Sequence, residues 1–226
     1  MANDYFRFKH FTVRQGLCAM KVGTDGTLLG AWARGGHRIL DAGTGTGLIA
    51  LMMAQRYAEA DITAIDIDDG AVEQARQNVA ASPFATRICV EKADLNFMTA
   101  DLRFESIVCN PPFFVDSLQC PDERRTMARH ANTLSYRDLM ASAVRLLADD
   151  GEMSVIIPFD CKQRLEAEAA LAGLFKVRTC GVRTTPAKPP RRFLLAFRKH
   201  PAPVELSELV IGSDAYRTLF TDFTLC

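Results

Sequence analysis

Short apolar runs alternate with stretches of helical periodicity along most of the chain after Trp32. The apolar runs predict five strands, at residues 38–41, 61–67, 87–91, 106–109 and 153–157. Apolar positions at helical spacing, such as Val72, Ala75 and Val79, predict helices over residues 48–56, 69–81, 135–147 and 161–174. Strands that alternate with helices indicate an α/β fold, in which a mainly parallel sheet carries helices on both faces.

The pattern changes towards the C-terminus. Residues 176–182 and 193–198 form two more apolar runs, and the Pro-rich stretch 186–190 joins them in place of a helix. A direct connection between neighbouring strands is typical of antiparallel pairing. We therefore predict a seven-stranded, mostly parallel sheet whose last strand is antiparallel, whereas residues 205–226 show no informative pattern.

A small N-terminal extension is expected before the sheet. Residues 8–22 predict a hairpin, and Thr24 or Asp25 is expected to cap a helix that runs through Leu28 and Trp32. After the second predicted strand, we expect Asp68 or Asp69 to act as a helix cap rather than as a ligand contact, because acids favour helix N-termini.

Length and composition bound the number of domains and the cellular context. At 226 residues the chain can form one α/β domain but not two, and its 48% hydrophobic and 24% charged residues are globular values. We predict one domain (1–226), composed of a hairpin and helix (1–34), a core (35–200) and a C-terminal segment (201–226). The absence of a signal peptide or a long apolar run predicts a cytoplasmic protein without a membrane partner. Seven scattered cysteines without a C-x-x-C pair predict free thiols and no metal site.

The net charge is zero, but the charges are unevenly distributed. Residues 6–22 contain four lysines and arginines, and residues 176–200 contain eight, in both cases without an acid. Such asymmetry can create a face that binds a polyanion on a neutral protein. The alternative is that these cations are ordinary solvated strand edges, where lysine and arginine also prevent unwanted pairing.

A glycine-rich turn, DAGTGTG at residues 41–47, joins the first predicted strand to its helix. Glycine lets a backbone approach a ligand where any Cβ would collide. The dinucleotide pattern G-x-G-x-x-G requires a third glycine where this chain has Leu48, which argues against a nicotinamide cofactor. A tight turn without a ligand is the alternative to a cofactor turn.

Three acids follow three successive predicted strands and suggest a nucleoside-bearing ligand of the methionine type. Asp41, two residues before Gly43, can accept from an ammonium group. Asp66 and its neighbour Ile67 are placed for ribose hydroxyls, and Asp94 for an adenine amino group. With Gly43, Gly45, Gly47, Thr24 and Asn110, these residues form the predicted cofactor-binding set.

The fourth predicted strand leads into Asn110-Pro111-Pro112-Phe113. Proline holds the preceding residue extended and removes backbone donors, so the Asn110 side-chain oxygen and the Pro111 carbonyl are expected to accept both hydrogens of a planar NH2 group. Phe113 is expected to stack on a flat acceptor. No general base is needed for this scheme. The alternative is that the prolines merely end a strand.

These motifs resemble the class I S-adenosylmethionine methyltransferases that act on amino groups, a Rossmann-like α/β fold. The resemblance covers roughly residues 20–200. The N-terminal segments 6–9 and 21–32, with Phe113 and Phe114, resemble in particular the bacterial tRNA (adenine-N6)-methyltransferases that modify the adenine beside the anticodon of a valine tRNA. This resemblance implies S-adenosylmethionine as cofactor, a lid over the glycine turn formed by residues 22–27, and catalytic roles for Asn110, Pro111, Pro112 and Phe113.

The resemblance implies tRNA, at its anticodon region, as the partner, and a monomer or weak homodimer that does not act on DNA. Ribosomal RNA guanine N2, protein glutamine N5 and a non-enzymatic RNA-binding role are the alternatives. Replacing Arg191 and Arg192 by glutamate is expected to weaken tRNA binding without changing cofactor affinity. His130 is expected to contact phosphate or solvent rather than to act in catalysis. The predicted RNA-binding residues are Arg7, Lys9, Arg124, Arg125, Lys188, Arg191 and Arg192.

Overall fold

The computed structural model describes residues 4–18, 20–99, 103–112 and 134–224. The strands of these residues are β1 (Tyr5–Arg7), β2 (Thr12–Arg14), β3 (Arg38–Ala42), β4 (Asp61–Asp66), β5 (Ile88–Lys92), β6 (Phe104–Cys109), β7 (Leu147–Pro158), β8 (Phe175–Arg183), β9 (Arg192–Arg198) and β10 (Glu205–Val210). The helices are α1 (Thr24–Trp32), α2 (Leu48–Arg56), α3 (Asp69–Ala80), α4 (Tyr136–Leu146), α5 (Lys162–Leu171) and α6 (Asp214–Phe220).

The central sheet has the order β10-β8-β9-β7-β6-β3-β4-β5. All neighbours are parallel except β9, which is antiparallel to both β7 and β8. β3 and β6 are neighbours in the sheet. From β3 the chain continues to β4 on one side of this pair, and from β6 it continues to β7 on the other side. Ligands of open α/β sheets bind at such a switch point, beyond the carboxyl ends of the strands. The glycine turn and Asn110 meet at this place.

The predicted α/β fold is confirmed, with eight strands in the sheet instead of seven. The additional strand, β10, pairs in parallel with β8 at the edge of the sheet, in the segment that lacked an informative pattern. Residues 205–208 are exposed, and only Leu209 of β10 is buried. An edge strand with one buried position produces neither an apolar run nor a clean alternation, so its sequence looks like a loop. The antiparallel strand is β9, as predicted, but it lies inside the sheet.

Two details of the N-terminal extension differ from the prediction. The hairpin pairs β1 with β2, so it covers residues 5–14 rather than 8–22. The N-cap of α1 is Gly23, which has no side chain to cap with, so Thr24 and Asp25 lie inside the first turn. The predicted cap at Asp68 is confirmed, since its side chain accepts a hydrogen bond from Ala71 N at 2.8 Å.

The core lies on both faces of the sheet because successive strand residues point to opposite sides. On one face, Ile39 packs in a cluster that includes Leu28 of α1 and Met52 of α2. On the other face, Leu40 packs in a cluster that includes Leu139 of α4 and Leu165 of α5. Among the residues that the structure describes, no helix combines the length and the hydrophobicity needed to cross a bilayer.

Buried polar side chains of α3 hold the N-terminal hairpin against the glycine turn. The Asn78 amide donates to the carbonyls of Arg14 and Thr46, each at 2.8 Å, and its oxygen accepts from Arg14 N at 2.8 Å. One turn earlier, Gln74 accepts from Leu17 N at 3.0 Å. Both side chains are almost fully buried. The segment after the hairpin is therefore fixed in front of α3 by hydrogen bonds rather than by apolar packing.

Replacing Asn78 by alanine is expected to lower the free energy of unfolding by about 2 kcal/mol, since three backbone groups lose their partner in a buried place. Thermal unfolding should then occur roughly 5 °C lower for a chain of this size. Gln77→Ala on the exposed side of the same helix is the control and should change little, because Gln77 bonds only to the exposed Glu73. Equal melting temperatures for the Asn78 variant and the unmodified protein would contradict the role given to Asn78.

Candidate cofactor cavity and acceptor corner

The glycine turn (residues 43–47) is built on three glycines in a left-handed conformation. Gly43, Gly45 and Gly47 have φ angles of 75°, 56° and 80°. A Cβ at Gly43 would meet no atom within 4 Å, whereas a Cβ at Gly47 would lie 3.3 Å from Ala75 Cβ of α3. Gly43 is thus required by its backbone conformation alone and leaves open space above the turn. Gly47 is required in addition for the close approach of α2 to α3.

The turn is anchored to the neighbouring strand β4. The amides of Gly43 and Thr44 both donate to the Ile65 carbonyl at 2.9 Å. The Gly45 amide donates to Asp66 Oδ2 at 2.9 Å, and Asp66 Oδ1 accepts from Asp68 N at 3.0 Å. Asp66 therefore holds both the glycine turn and the start of α3 in place.

Asp41 lies at the end of β3 and is fully buried. Its Oδ2 accepts from Thr44 Oγ1 at 2.6 Å and from Ala50 N at 3.0 Å. Among the described residues, Oδ1 of the same carboxyl has no hydrogen-bond partner. Burial raises the pKa of Asp41 to about 7, and the nearby Asp66 also raises it, although the two hydrogen bonds act in the opposite direction. A cation at Oδ1 would relieve this unfavourable burial of charge.

A cavity of about 280 Å³ opens between the glycine turn and the segment that precedes α1. Residues 20–26, called here the roof segment, form one wall, and Gly43, Gly45, Leu48 and Ile49 belong to the opposite wall. Thr24 and Asn110, both predicted cofactor contacts, also line the cavity. The other predicted cofactor contacts are not among the residues that line the cavity; these are Asp41, Gly47, Asp66, Ile67 and Asp94. Asp94 Oδ1 accepts from Asn96 N at 2.9 Å, and Ile67 is half-exposed.

The acceptor corner (Asn110, Pro111 and Pro112) directly follows β6. Asn110 Oδ1 is buried and has no hydrogen-bond partner within the described part of the chain. An unpartnered buried acceptor that faces a cavity is unfavourable unless a ligand donor reaches it. Burial raises the pKa of the neighbouring Cys109 thiol, which therefore stays neutral beside the corner. Of the predicted site residues, Phe113, Arg124 and Arg125 lie outside the described residues, as do Phe114 and His130.

An ion pair between Asp25 and Arg192 closes one side of the cavity. Asp25 belongs to the roof segment and Arg192 begins β9, and both residues line the cavity. From the sequence, Arg192 is expected to bind RNA and Asp25 to cap a helix, and their contact is not predicted. Nothing in the local pattern indicates this pair, because it depends on the position of β9 inside the sheet.

The attachment of the roof segment was also missed. Gln15 is buried, and its side-chain oxygen accepts from Val22 N at 2.8 Å. A signal for the polar residues of α3 was present in the sequence, since Gln74 and Asn78 share the helical stripe of the apolar residues Ala71 and Ala75. Polar residues on a buried stripe need partners, and these two bind the backbone of the hairpin.

The cations of residues 176–200 form a smaller patch than the sequence suggests. Most of them have acidic partners from other elements, in the pairs Lys176–Glu166, Arg178–Glu152, Arg183–Glu208, Arg192–Asp25 and Arg198–Glu152. Lys188 and Arg191 are exposed, and neither has an ion-pair partner among the described residues. The remaining cation of the eight, Lys199, donates to the Leu147 carbonyl at 2.8 Å. The candidate anion-binding patch of this region is therefore reduced to Lys188 and Arg191.

Arg7 and Lys9 are exposed on the N-terminal hairpin. Lys9 N donates to the Phe223 carbonyl at 3.0 Å, and the adjacent Asp222 carbonyl accepts from Gln55 near the end of α2. These contacts place Lys9 near the C-terminal end of α2, whereas the glycine turn precedes the N-terminal end of that helix. α2 starts at the glycine turn, and its length up to Gln55 is roughly 12 Å. Lys9 is therefore about one helix length from the glycine turn.

Comparisons with known proteins agree with this architecture. Residues 27–184 match the model of the methyltransferase small domain family. A relative from Bacteroides thetaiotaomicron is 50% identical over 87% of this chain and 84% of its own length, and one from Phocaeicola vulgatus is 53% identical over 88% and 85%. Both are named tRNA1(Val) (adenine(37)-N6)-methyltransferase.

Among solved structures, a predicted O-methyltransferase from Agrobacterium tumefaciens superposes with a TM-score of 0.65 at 20% identity, covering 84% of this chain and 90% of that protein. This likeness confirms the fold, and the sequence matches confirm the resemblance based on the glycine turn and the acceptor corner. The chain belongs to the methyltransferase small domain family, in the group whose curated members bear the name of tRNA1(Val) (adenine(37)-N6)-methyltransferases.

Proposed function

We propose that this protein transfers a methyl group from S-adenosylmethionine to N6 of an adenine in tRNA, beside the anticodon of a valine tRNA. The observation that carries the proposal is the buried Oδ1 of Asn110, a residue that lines the candidate cofactor cavity, since this oxygen has no hydrogen-bond partner among the described residues. The names of the two bacterial relatives support the choice of tRNA and of adenine N6.

The residues around the cavity fit S-adenosylmethionine. Asp41 Oδ1, a buried acceptor that has no partner within the described part of the chain, is available to an ammonium group, and Gly43 leaves free space for a ligand above the turn. Asp66 and Asp94 supply further carboxylates at the next two strand ends, for ribose hydroxyls and for an adenine amino group. When bound, the cofactor supplies an activated methyl group on a sulfonium. Thr24 and the roof segment would exclude water from it.

The acceptor corner binds and orients the nitrogen that is methylated. Asn110 Oδ1 and the Pro111 carbonyl each accept one hydrogen of the exocyclic NH2 group, which directs the nitrogen lone pair towards the methyl. Positive charge that develops on the nitrogen is stabilised by these two preorganised oxygens. The proton of the product leaves to solvent, so no side chain is required as a general base. Phe113 retains its predicted stacking role.

Incubation with labelled S-adenosylmethionine tests the function directly. The protein is supplied separately with bulk tRNA, ribosomal subunits and release factors, and the methylated species is identified by mass spectrometry. We expect N6-methyladenine in a single position beside the anticodon of a valine tRNA. Methylation of a ribosomal guanine or of a release-factor glutamine, with tRNA unmodified, would replace this proposal by one of its alternatives.

Substitutions at Arg191 and Arg192 are expected to have different effects. Arg191→Glu should weaken tRNA binding several-fold without changing S-adenosylmethionine affinity, because Arg191 is exposed immediately before the first residue of β9. Arg192→Glu should instead weaken cofactor binding, since it places a second carboxylate against Asp25 at the roof segment. This expectation corrects the one based on sequence, which treated both arginines alike. Fluorescence binding titrations with tRNA and with cofactor measure both affinities, and identical profiles for the two variants would contradict it.

A further inference from the structure

Phe159 is a large aromatic side chain exposed at the carboxyl edge of the sheet. It follows β7 directly, and 58% of its surface is exposed. Its backbone is nevertheless fixed, since Phe159 N donates to the Arg191 carbonyl at 2.9 Å. Its ring lies 6.2 Å from the ring of Phe193, which also carries Lys162 Nζ at 5.0 Å from its centroid. The Phe159 ring is thus held on one side by its backbone hydrogen bond and by the Phe193 ring, while its other side is exposed to solvent.

The strand register places Phe159 beside the acceptor corner. Cys109 of β6 pairs with Val155 of the adjacent parallel strand β7. β6 ends at this pair, whereas β7 continues for three residues to Pro158, so Asn110 and Phe159 both lie beyond the carboxyl ends of neighbouring strands. Phe159 therefore extends beyond the sheet next to the residues that would grip the acceptor nitrogen. A base that enters the acceptor corner must bring its neighbouring nucleotides close to this ring.

Two exposed cations, Lys188 and Arg191, and one exposed acid, Asp160, lie around Phe159, so the net charge there favours a polyanion. Pro158 pairs with Arg192 across the β7–β9 ladder, so Phe159 and Arg191 are adjacent. Lys188 lies in the connection that precedes Arg191, and both cations are exposed without an acidic partner among the described residues. Arg183 Nη1 donates to the Lys188 carbonyl at 3.1 Å, which ties this connection to the end of β8. An aromatic ring beside cations matches the stacking and phosphate contacts by which proteins bind single-stranded nucleic acid.

We infer that Phe159, Lys188 and Arg191 form the binding site for the single-stranded RNA next to the methylated adenine. Phe159 stacks on a neighbouring base, and the two cations contact the phosphates of the same strand. The inference rests on the proposed function and extends it by naming the surface that positions the substrate. Phe159 contacts no reacting atom in this arrangement and is a positioning residue.

Binding and steady-state kinetics with a tRNA anticodon-arm substrate test the inference. Phe159→Ala should raise the Kd and the KM for this RNA about tenfold, the loss of one base stack. Phe159→Trp should restore both values to within about twofold, because the larger ring also stacks. At saturating RNA, kcat should change little, and the S-adenosylmethionine affinity should stay constant in both variants. A structural role alone would instead lower thermal stability and alter the cofactor affinity.

The salt dependence of binding separates stacking from charge. For single strands, the slope of log Kd against log salt decreases by about 0.7 for each phosphate contact removed. The double variant Lys188→Ala, Arg191→Ala should therefore reduce the slope by about 1.4, whereas Phe159→Ala should leave it unchanged.

Matched controls lie at the opposite, amino edge of the same sheet. Phe175 begins β8 and is 44% exposed, so Phe175→Ala removes a similar ring without touching the proposed surface. Arg103→Ala removes an exposed cation just before β6. Neither change should alter RNA binding by more than about twofold.

The outcomes distinguish this inference from the proposed function. If the unmodified protein methylates tRNA and Phe159→Ala binds it with unchanged affinity, the surface is wrong and the function stands. If the unmodified protein modifies a protein substrate and binds no RNA, both are overturned. Equal losses in the Phe159 and Phe175 variants would show a nonspecific effect and would also overturn the inference.

Discussion

Replacing Asn110 by alanine is expected to lower turnover by two to three orders of magnitude, with S-adenosylmethionine affinity unchanged to within about threefold. The magnitude is that of removing one preorganised group that stabilises charge in a transition state, roughly 100- to 1,000-fold. Asn110 lines the cavity and is a predicted cofactor contact, but the anchors of the glycine turn, from Ile65 and Asp66, do not involve it. The loss of cofactor affinity should therefore be small compared with the loss of turnover. Single-turnover rates with saturating RNA, and cofactor titrations by calorimetry, measure the two quantities.

A conservative variant separates the chemistry from packing. Asn110→Asp keeps a side-chain oxygen at the same place, so it should retain far more turnover than the alanine variant while Pro111 and Pro112 keep the backbone extended. Its residual activity should rise with pH, because the ionised carboxylate accepts its one hydrogen of the NH2 group better than the neutral carboxyl does. Full activity of Asn110→Ala would remove the acceptor corner from the mechanism. Equal activity of the alanine and aspartate variants would show that the side-chain oxygen is not used.

Replacing Asp41 by asparagine is expected to weaken S-adenosylmethionine binding about a hundredfold at about pH 7.5, because the ligand ammonium is then buried without its charged partner. In the unmodified protein, the pKa of Asp41 is raised to about 7 by burial, so this carboxyl is largely protonated at pH 6 in the absence of ligand. A bound ammonium favours the ionised form. Affinity should therefore rise as the pH increases from 5.5 to 7.5, and binding at pH 6 should release close to one proton.

Calorimetry in buffers of different ionisation enthalpy measures this proton release, and the Asp41→Asn variant should show neither the release nor the pH dependence. Above about pH 8 the ligand ammonium loses its own proton, so the comparison belongs below that value. Proton uptake instead of release, or an unchanged pH profile in the variant, would contradict the role of Asp41.

The same raised pKa affects the stability of the ligand-free protein. The pKa of Asp41 is higher in the folded state than its ordinary value of 3.8, so the folded state binds more protons than the unfolded state. Asp41 therefore contributes fully to the stability of the folded state below about pH 4, and this contribution is lost as the pH rises towards 7. Cofactor binding should restore it. Free energies of unfolding at pH 5 and pH 8, with and without cofactor, measure this effect. Without cofactor the Asp41 contribution should be smaller at pH 8 than at pH 5, and with cofactor this loss should disappear.

The sequence predicts the centre of the fold well, because its signals are local. The strand and helix on either side of the glycine turn occur within about one residue of their predicted ends, since each has a continuous apolar pattern. The places of Asp41 at the end of β3 and of Asn110 directly after β6 follow from the glycines and prolines beside them. These are constraints that a residue imposes on its immediate neighbours.

The parts that could not be predicted depend on the assembled sheet. The pair between Asp25 and Arg192 requires α1 to lie over β9, and the partners of the basic C-terminal strands come from β7, α5 and β10. Glu152 alone binds Arg178 and Arg198, at 2.8 and 2.9 Å, inside the sheet. Counting lysines and arginines along the chain cannot reveal which of them are neutralised in this way. The basic stretch therefore looked larger in sequence than the surface that remains.

The docking of the N-terminal hairpin on α3 bears on how the protein becomes active during its synthesis. The roof segment emerges from the ribosome before Gln74 and Asn78, about 55 residues ahead, which at usual translation speeds is a delay of roughly 3 to 10 seconds. Throughout that interval the hairpin has no surface to bind, and the nascent chain has no enclosed space for a ligand. Fragments that end before residue 80 should thus be unable to enclose the cofactor, even though they contain the complete glycine turn.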